Sequence, residues 1–153
     1  MFDVVLHRPE IAPNTGNLMR LTVNTGCRLH LVRPLGFTLD DHRLRRAGLD
    51  YREYADVAVH DSLDDCLAAA GGRVIAFTQH AADRYSDVSY QTGDVLLFGS
   101  ESVGLSAEAL DHPRIGRRVR IPIAPGGRSL NLANAAAIGI YEAWRQNDFA
   151  VAE

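Results

Sequence analysis

The chain has 153 residues, 46% hydrophobic and 23% charged, with a formal net charge of −3. This is the size and balance of one ordinary globular domain; it excludes a disordered chain and argues against a general nucleic-acid binder. No apolar run reaches the ~18 residues a membrane span needs, and the N-terminus lacks the basic flank and apolar core of a signal peptide.

Phe2–His7 reads as a first strand, broken by Arg8-Pro9 and Pro13-Asn14. Thr15–Thr25 reads as a helix with Asn14 as its cap and Gly26 as its stop. Leu29–Arg33 is a second strand, Asp40–Arg46 a short helix and Val57–His60 a third strand. Ser62–Ala70 is a helix stopped by Gly71-Gly72; Arg73–Thr78 and Asp94–Phe98 are the fourth and fifth strands. Ser106–Leu110 is a short helix and Arg118–Ile123 a sixth strand. Leu130–Gln146 is a long helix with Ser129 as its cap. The alternation predicts a single α/β domain over residues 1–153, a mostly parallel sheet with helices on both faces. The last helix is apolar around most of its circumference, which fits either a dimer interface or a central helix of one subunit.

Ligands in such sheets bind at the carboxyl ends of strands. Two glycine-rich turns leave what read as neighbouring strands there. The first is Gly99-Ser100-Glu101-Ser102-Val103-Gly104-Leu105, directly after the fifth strand. Glycine lets a backbone approach a ligand closely. A plain strand-to-helix turn reads equally well, and the spacing is not the GxGxxG dinucleotide fingerprint. The second runs from Ile121-Pro122-Ile123 through Pro125-Gly126-Gly127 to Ser129-Leu130-Asn131-Leu132-Ala133-Asn134. A helix N-terminus offers free N–H groups and partial positive charge. Asn131 and Asn134 stand on one helix edge, as substrate contacts or as solvated residues. A third constellation, Asn14, Asn17, Arg20 and Asn24, forms a polar stripe on the first helix. Arg20 there is either a phosphate or ribose ligand or half of a surface ion pair.

All 16 positive residues are arginine, whose planar fork suits phosphate; genome composition explains the bias equally well. Cys27 and Cys66 read as buried free thiols, which suits a reducing cytoplasm. The six histidines, His7, His30, His42, His60, His80 and His112, show no metal-ligand spacing and read as surface or strand-end residues. No metal is expected, and neither a Gly-x-Ser-x-Gly elbow nor a P-loop occurs.

Taken in order, Asn14-Thr15-Gly16-Asn17 through Arg20, Gly99-Ser100-Glu101 through Gly104-Leu105, and Ile121-Pro122-Ile123 through Asn134 resemble the three motifs of the SPOUT superfamily of RNA methyltransferases. The resemblance covers nearly the whole chain and is to the branch of tRNA ribose 2′-O-methyltransferases. Leu44-Arg45-Arg46-Ala47-Gly48-Leu49-Asp50-Tyr51 and Tyr141-Glu142-Ala143-Trp144-Arg145 resemble the minimal tRNA (cytidine/uridine-34) subgroup, which lacks an appended RNA-binding domain.

The resemblance implies a deep C-terminal trefoil knot, an obligate homodimer and S-adenosylmethionine as cofactor. It implies cofactor contacts from Phe77, Thr78, Gly99, Glu101, Gly104, Ile121, Ile123, Ser129, Leu130 and Asn134. It implies catalytic roles for Arg20, Ser129 and Asn131. The implied substrate is the tRNA anticodon stem-loop, with Asn14, Asn17, Arg43, Arg45, Arg46, Arg52 and Arg145 as RNA contacts. The Gly126-Gly127 pair replaces bulkier residues of relatives and predicts a looser loop. Methylation of another RNA, or a non-catalytic RNA-binding role, is the alternative reading.

Overall fold

The computed structural model describes residues 1–39 and 57–151. The helix expected over 40–46, and Arg43, Arg45, Arg46 and Arg52, lie outside the described residues.

The first strand, β1 (Asp3–His7), is followed by α1 (Ala12–Thr25), β2 (Arg28–Val32), β3 (Val57–His60) and α2 (Leu63–Ala69). Then come β4 (Val74–Phe77), the two-residue β5 (Asp83–Arg84), β6 (Val95–Phe98), α3 (Ala107–Leu110), β7 (Ile115–Arg120) and α4 (Leu132–Gln146). Among the described residues the strands form one seven-stranded sheet in the order β3-β2-β1-β6-β4-β7-β5. Every pairing is parallel. The sequence missed β5, whose two exposed residues carry no apolar signal.

Strand side chains alternate between two covered faces, which is why β1, β4 and β6 are buried throughout. Val4, Leu6, Leu29, Leu31, Ile75, Leu96 and Phe98 pack with Leu18 and Met19 of α1 and with Ala136 and Ile140 of α4. Val5, Val32, Val74, Ala76, Val95 and Leu97 pack on the other face with Cys66 and Leu67 of α2 and Ala109 of α3.

Several local expectations are corrected. Helix α1 starts at Ala12 with Ile11 as N-cap and Pro13 in its first turn, so Asn14 lies inside it. Proline tolerates that position because its missing N–H is unused there. Its C-cap is Gly26 at φ +71, as expected. Strand β7 ends at Arg120, and residues 121–131 form neither helix nor strand. Helix α4 therefore begins at Leu132, and its cap is Asn131, whose side chain accepts from the Asn134 N–H at 3.2 Å. Ser129 is not the cap.

The buried residues of α4 (Leu132, Ala133, Ala136, Gly139, Ile140 and Ala143) form a single stripe. Within the single chain the fully buried residues of this helix lie on that side alone. Strands β6 and β7 are not neighbours either, since β4 lies between them.

Candidate functional site

The carboxyl ends of β6, β4 and β7 open into one cleft of about 650 Å³. That falls within the roughly 300–1,000 Å³ of small-molecule sites. Three segments build its walls.

The first is the turn after β6. Ser100 and Gly104 exchange backbone hydrogen bonds of 3.2 and 2.9 Å, closing a tight loop. Gly99 cannot carry a side chain, because a Cβ there would lie 2.0 Å from the Gly104 carbonyl carbon. Gly104 takes φ +68, a conformation that favours glycine.

Glu101 reaches back from this turn to the start of α1. Its carboxylate accepts the Glu10 N–H, 2.9 Å from Oε2, and the Ile11 N–H. Helix α1 has no side-chain cap of its own. Glu101 supplies one from a distant loop, at the positive end of the helix dipole.

The second segment follows β7. The Gly127 N–H donates to the Ala124 carbonyl at 2.9 Å, and Gly126 takes φ +81. With Pro125 at the second position, this is the pattern of a type II turn. A Cβ on Gly127 would lie 2.5 Å from Ile123 Cγ2. The glycine pair thus shapes a tight turn that packs on Ile123. Beyond it, Asn131 Nδ2 donates to Asn14 Oδ1 at 2.9 Å.

The third segment is the end of β4. The Thr78 N–H donates to the Val119 carbonyl at 2.8 Å, holding this exit against β7. Phe77 stacks on Phe98 with ring centroids 4.5 Å apart, making an apolar floor. Gly139 of α4 lies directly behind it, since a Cβ there would lie 2.9 Å from the Phe77 ring.

The cleft brings together most of the residues singled out by sequence. Phe77, Thr78, Gly99, Glu101 and Gly104 line it. So do Ile121, Ile123, Ser129, Leu130, Asn131 and Asn14. Asn134 does not line it, and its backbone N–H is taken by the cap. Asn17 and Arg20 are exposed on α1, outside the cleft lining. Arg145 is engaged by Glu142 through Nε at 2.9 Å and Nη2 at 3.0 Å, on the same helix. This pairing holds the Glu142 carboxyl below its usual range. The structure thus gives Arg145 an intrahelical partner and does not bring it to the cleft.

Gln79 and His80 also line the cleft; sequence reasoning passed over Gln79 and read His80 only as a surface or strand-end residue. Their place just beyond the β4 terminus was the available signal. Histidine spacing misled further: His30, His60 and Cys66 bring three potential ligand atoms within 4.8 Å of one another, away from this cleft.

Comparison with known proteins supplies the family. A tRNA (cytidine(34)-2′-O)-methyltransferase from Methylovorus glucosotrophus (strain SIP3-4) is 56% identical over 151 residues, covering 98% of both chains. Its counterpart from Yersinia pestis is 49% identical over 152 residues, covering 95% of this chain and 94% of its own. A solved structure concerned with the 2-OH methylation of C/U34 on tRNA matches with a TM-score of 0.89 at 42% identity, over 98% of both chains. An AdoMet-bound rRNA methyltransferase from Sinorhizobium meliloti matches with a TM-score of 0.82 at 27% identity, over 94% of this chain and 56% of that one. The model of the SpoU rRNA Methylase family matches residues 1–141, and the chain belongs to that family.

Proposed function

We propose that this chain methylates the ribose 2′-hydroxyl of the wobble nucleotide, cytidine or uridine 34, in tRNA, with S-adenosylmethionine as methyl donor. The observation that carries this reading is the cleft at the ends of β6, β4 and β7, in a chain 56% identical to a tRNA (cytidine(34)-2′-O)-methyltransferase over nearly its whole length.

The residues present fit the cofactor. Ile121, Ile123 and Leu130 offer apolar surface for an adenine ring, and the irregular backbone around them offers hydrogen-bonding groups. Gly99 brings main chain to the cleft edge without a side chain. When bound, S-adenosylmethionine supplies an already activated methyl group, so the chain's main task is alignment of the 2′-oxygen. Ser129 and Asn131 stand at the cleft as substrate contacts. Arg20 serves as an orienter that holds a substrate phosphate or steadies a developing alkoxide. A guanidinium stays protonated and is no literal base.

The same reading includes one domain, a C-terminal trefoil knot, a cytoplasmic setting and a homodimer. Val23 of α1 and Tyr141 of α4 are 50% and 43% exposed, apolar surface on two helices that a second copy would cover. Among the described residues no helix is long and apolar enough to cross a membrane. The anticodon stem-loop is a fitting substrate, because its unpaired bases can be splayed out and read. Arg43, Arg45, Arg46 and Arg52 remain proposed RNA contacts.

The test is nucleoside mass spectrometry of tRNA incubated with the protein and isotope-labelled cofactor. Label in 2′-O-methylcytidine or 2′-O-methyluridine from position 34 is the expected result. Label at another tRNA position, or none in tRNA, overturns the reading.

A further inference from the structure

A second cluster of reactive side chains lies on the other half of the sheet. His30 of β2 opposes Ala58 of β3, and Val32 opposes His60. Alternate strand residues share a face, so His30 and His60 project on the same side as Val32. Val32 packs in the apolar layer that includes Cys66 of α2. His30 Nδ1 and His60 Nε2 are 3.0 Å apart. One ring nitrogen of each histidine and the Cys66 sulfur all lie within 4.8 Å of one another.

Asp3 stands behind this cluster. It is 3% exposed, and its Oδ1 lies 2.8 Å from His30 Nε2. Arg28 Nε, 2.9 Å from the same oxygen, completes the arrangement. The carboxylate fixes the His30 tautomer: Nε2 carries the hydrogen and donates to Asp3. In the neutral ring Nδ1 then keeps a lone pair on the side of His60. This is the carboxylate–histidine arrangement that orients imidazoles in metal centres. His60 is only partly buried and leaves a way in from solvent.

We propose that His30, His60 and Cys66 form a binding site for a thiophilic divalent cation of the zinc class, with Asp3 as the positioning residue behind His30. A nitrogen–nitrogen–sulfur set suits zinc or cobalt and not magnesium or calcium, which demand oxygen. On binding, His60 moves its hydrogen from Nε2 to Nδ1, and Cys66 releases its proton to solvent. Water from the His60 side supplies the fourth ligand of a tetrahedral centre. Such a centre clamps α2 and the edge strand β3 onto β2.

The test is titration of the chelator-treated full chain with Co²⁺, and then with Zn²⁺ as competitor. The expected result is a one-to-one thiolate-to-cobalt charge-transfer band that zinc abolishes, and a Tm raised by zinc. Cys66→Ala removes the band, whereas Cys27→Ala, at the other thiol, keeps it. Should Cys66→Ala fold poorly, His60→Gln at the partly exposed position gives the same answer through cobalt affinity, lowered by about tenfold or more. Asp3→Asn lowers affinity by roughly 10–100-fold while leaving the band's shape intact. Absence of a saturable band in the wild-type chain, survival of the band in Cys66→Ala, or unchanged affinity in His60→Gln overturns the proposal.

Discussion

Asn131 donates from Nδ2 to Asn14 Oδ1 at 2.9 Å, joining the residue that caps α4 to the first turns of α1. The same side chain accepts the Asn134 N–H through Oδ1. One asparagine thus uses both ends of its amide, and both helix starts are held at the cleft. Asn131→Ala loses the cap, worth about 1 kcal/mol. It also leaves the buried Asn14 oxygen without its donor, at a further cost of about 1–3 kcal/mol. Ser129→Ala touches neither interaction and is expected to change stability by less than about 0.5 kcal/mol. Urea unfolding of the two variants checks this; equal destabilisation would return the cap to Ser129. In the methylation assay Ser129→Ala is expected to lose turnover all the same, a loss that stability does not explain.

Glu101 does for α1 what Asn131 does for α4. Glu101→Gln keeps one acceptor but turns an amide toward the Glu10 and Ile11 N–H groups, which are themselves donors. Charge-assisted bonds are lost and a like-polarity contact is created. A destabilisation of about 1–3 kcal/mol is expected. Hydrogen exchange should show the first turn of α1 opening more readily. Unchanged protection of that turn would mean that Glu101 is not its cap.

These two contacts also show where sequence reading stops. Most strand patterns, the short helices starting near Ser62 and Ser106 and the Gly26 stop were legible because each is encoded within a few residues, although the two serines prove to be caps and not the first helical residues. The caps of α1 and α4 were not. Ser129 has a good capping residue's chemistry, but the chain stays irregular for two residues more because Asn131 finds a partner on α1. The place of β4 between β6 and β7 was invisible for a related reason: sheet order is set by crossovers, not by local pattern. The cleft residues were largely legible, since glycine after a strand marks close backbone approach. The histidine cluster was not, because register across β2 and β3 brings together His30 and His60, which chain spacing keeps apart.

Gly99→Ala puts a methyl group into backbone, not into a yielding side chain. The Cβ would lie 2.0 Å from the Gly104 carbonyl carbon and 2.2 Å from the Leu105 nitrogen. The Ser100–Gly104 turn must shift, at a cost of about 1–3 kcal/mol. Because that turn is one wall of the cleft, loss of S-adenosylmethionine binding by calorimetry is expected alongside a lower Tm. Normal cofactor affinity in a folded Gly99→Ala protein would remove this wall from the binding site.

His7 gives the chain an acid-sensitive element. Burial, and secondarily the Arg8 charge, lower its pKa below the ordinary value of 6.5, against a smaller opposing effect of Glu108. The unfolded chain therefore binds the proton more readily than the folded one. By linkage, the stabilisation is complete above the unfolded pKa and falls as pH drops below about 6.5. It reaches its floor under the folded pKa. His7→Gln is expected to flatten the stability profile of the metal-free chain between neutral and mildly acidic pH. An unchanged slope in denaturant titrations would show that His7 titrates alike in both states.

Arg20 is exposed on α1, outside the lining of the cleft, and its helix is tied to the cleft wall by Glu101 and Asn131. A residue so placed is expected to meet a substrate that arrives from outside rather than a cofactor seated within. Arg20→Lys keeps the charge but loses the planar fork that grips phosphate at two points. Turnover on tRNA is expected to fall by about tenfold or more, since about 1.4 kcal/mol of transition-state stabilisation corresponds to that factor. Cofactor affinity by calorimetry should stay near the wild-type value. Unequal losses of this kind place Arg20 on the RNA side of the reaction. Loss of cofactor binding in step with turnover would instead mean that the variant disturbs the cleft itself, and near-normal turnover would remove Arg20 from the reaction.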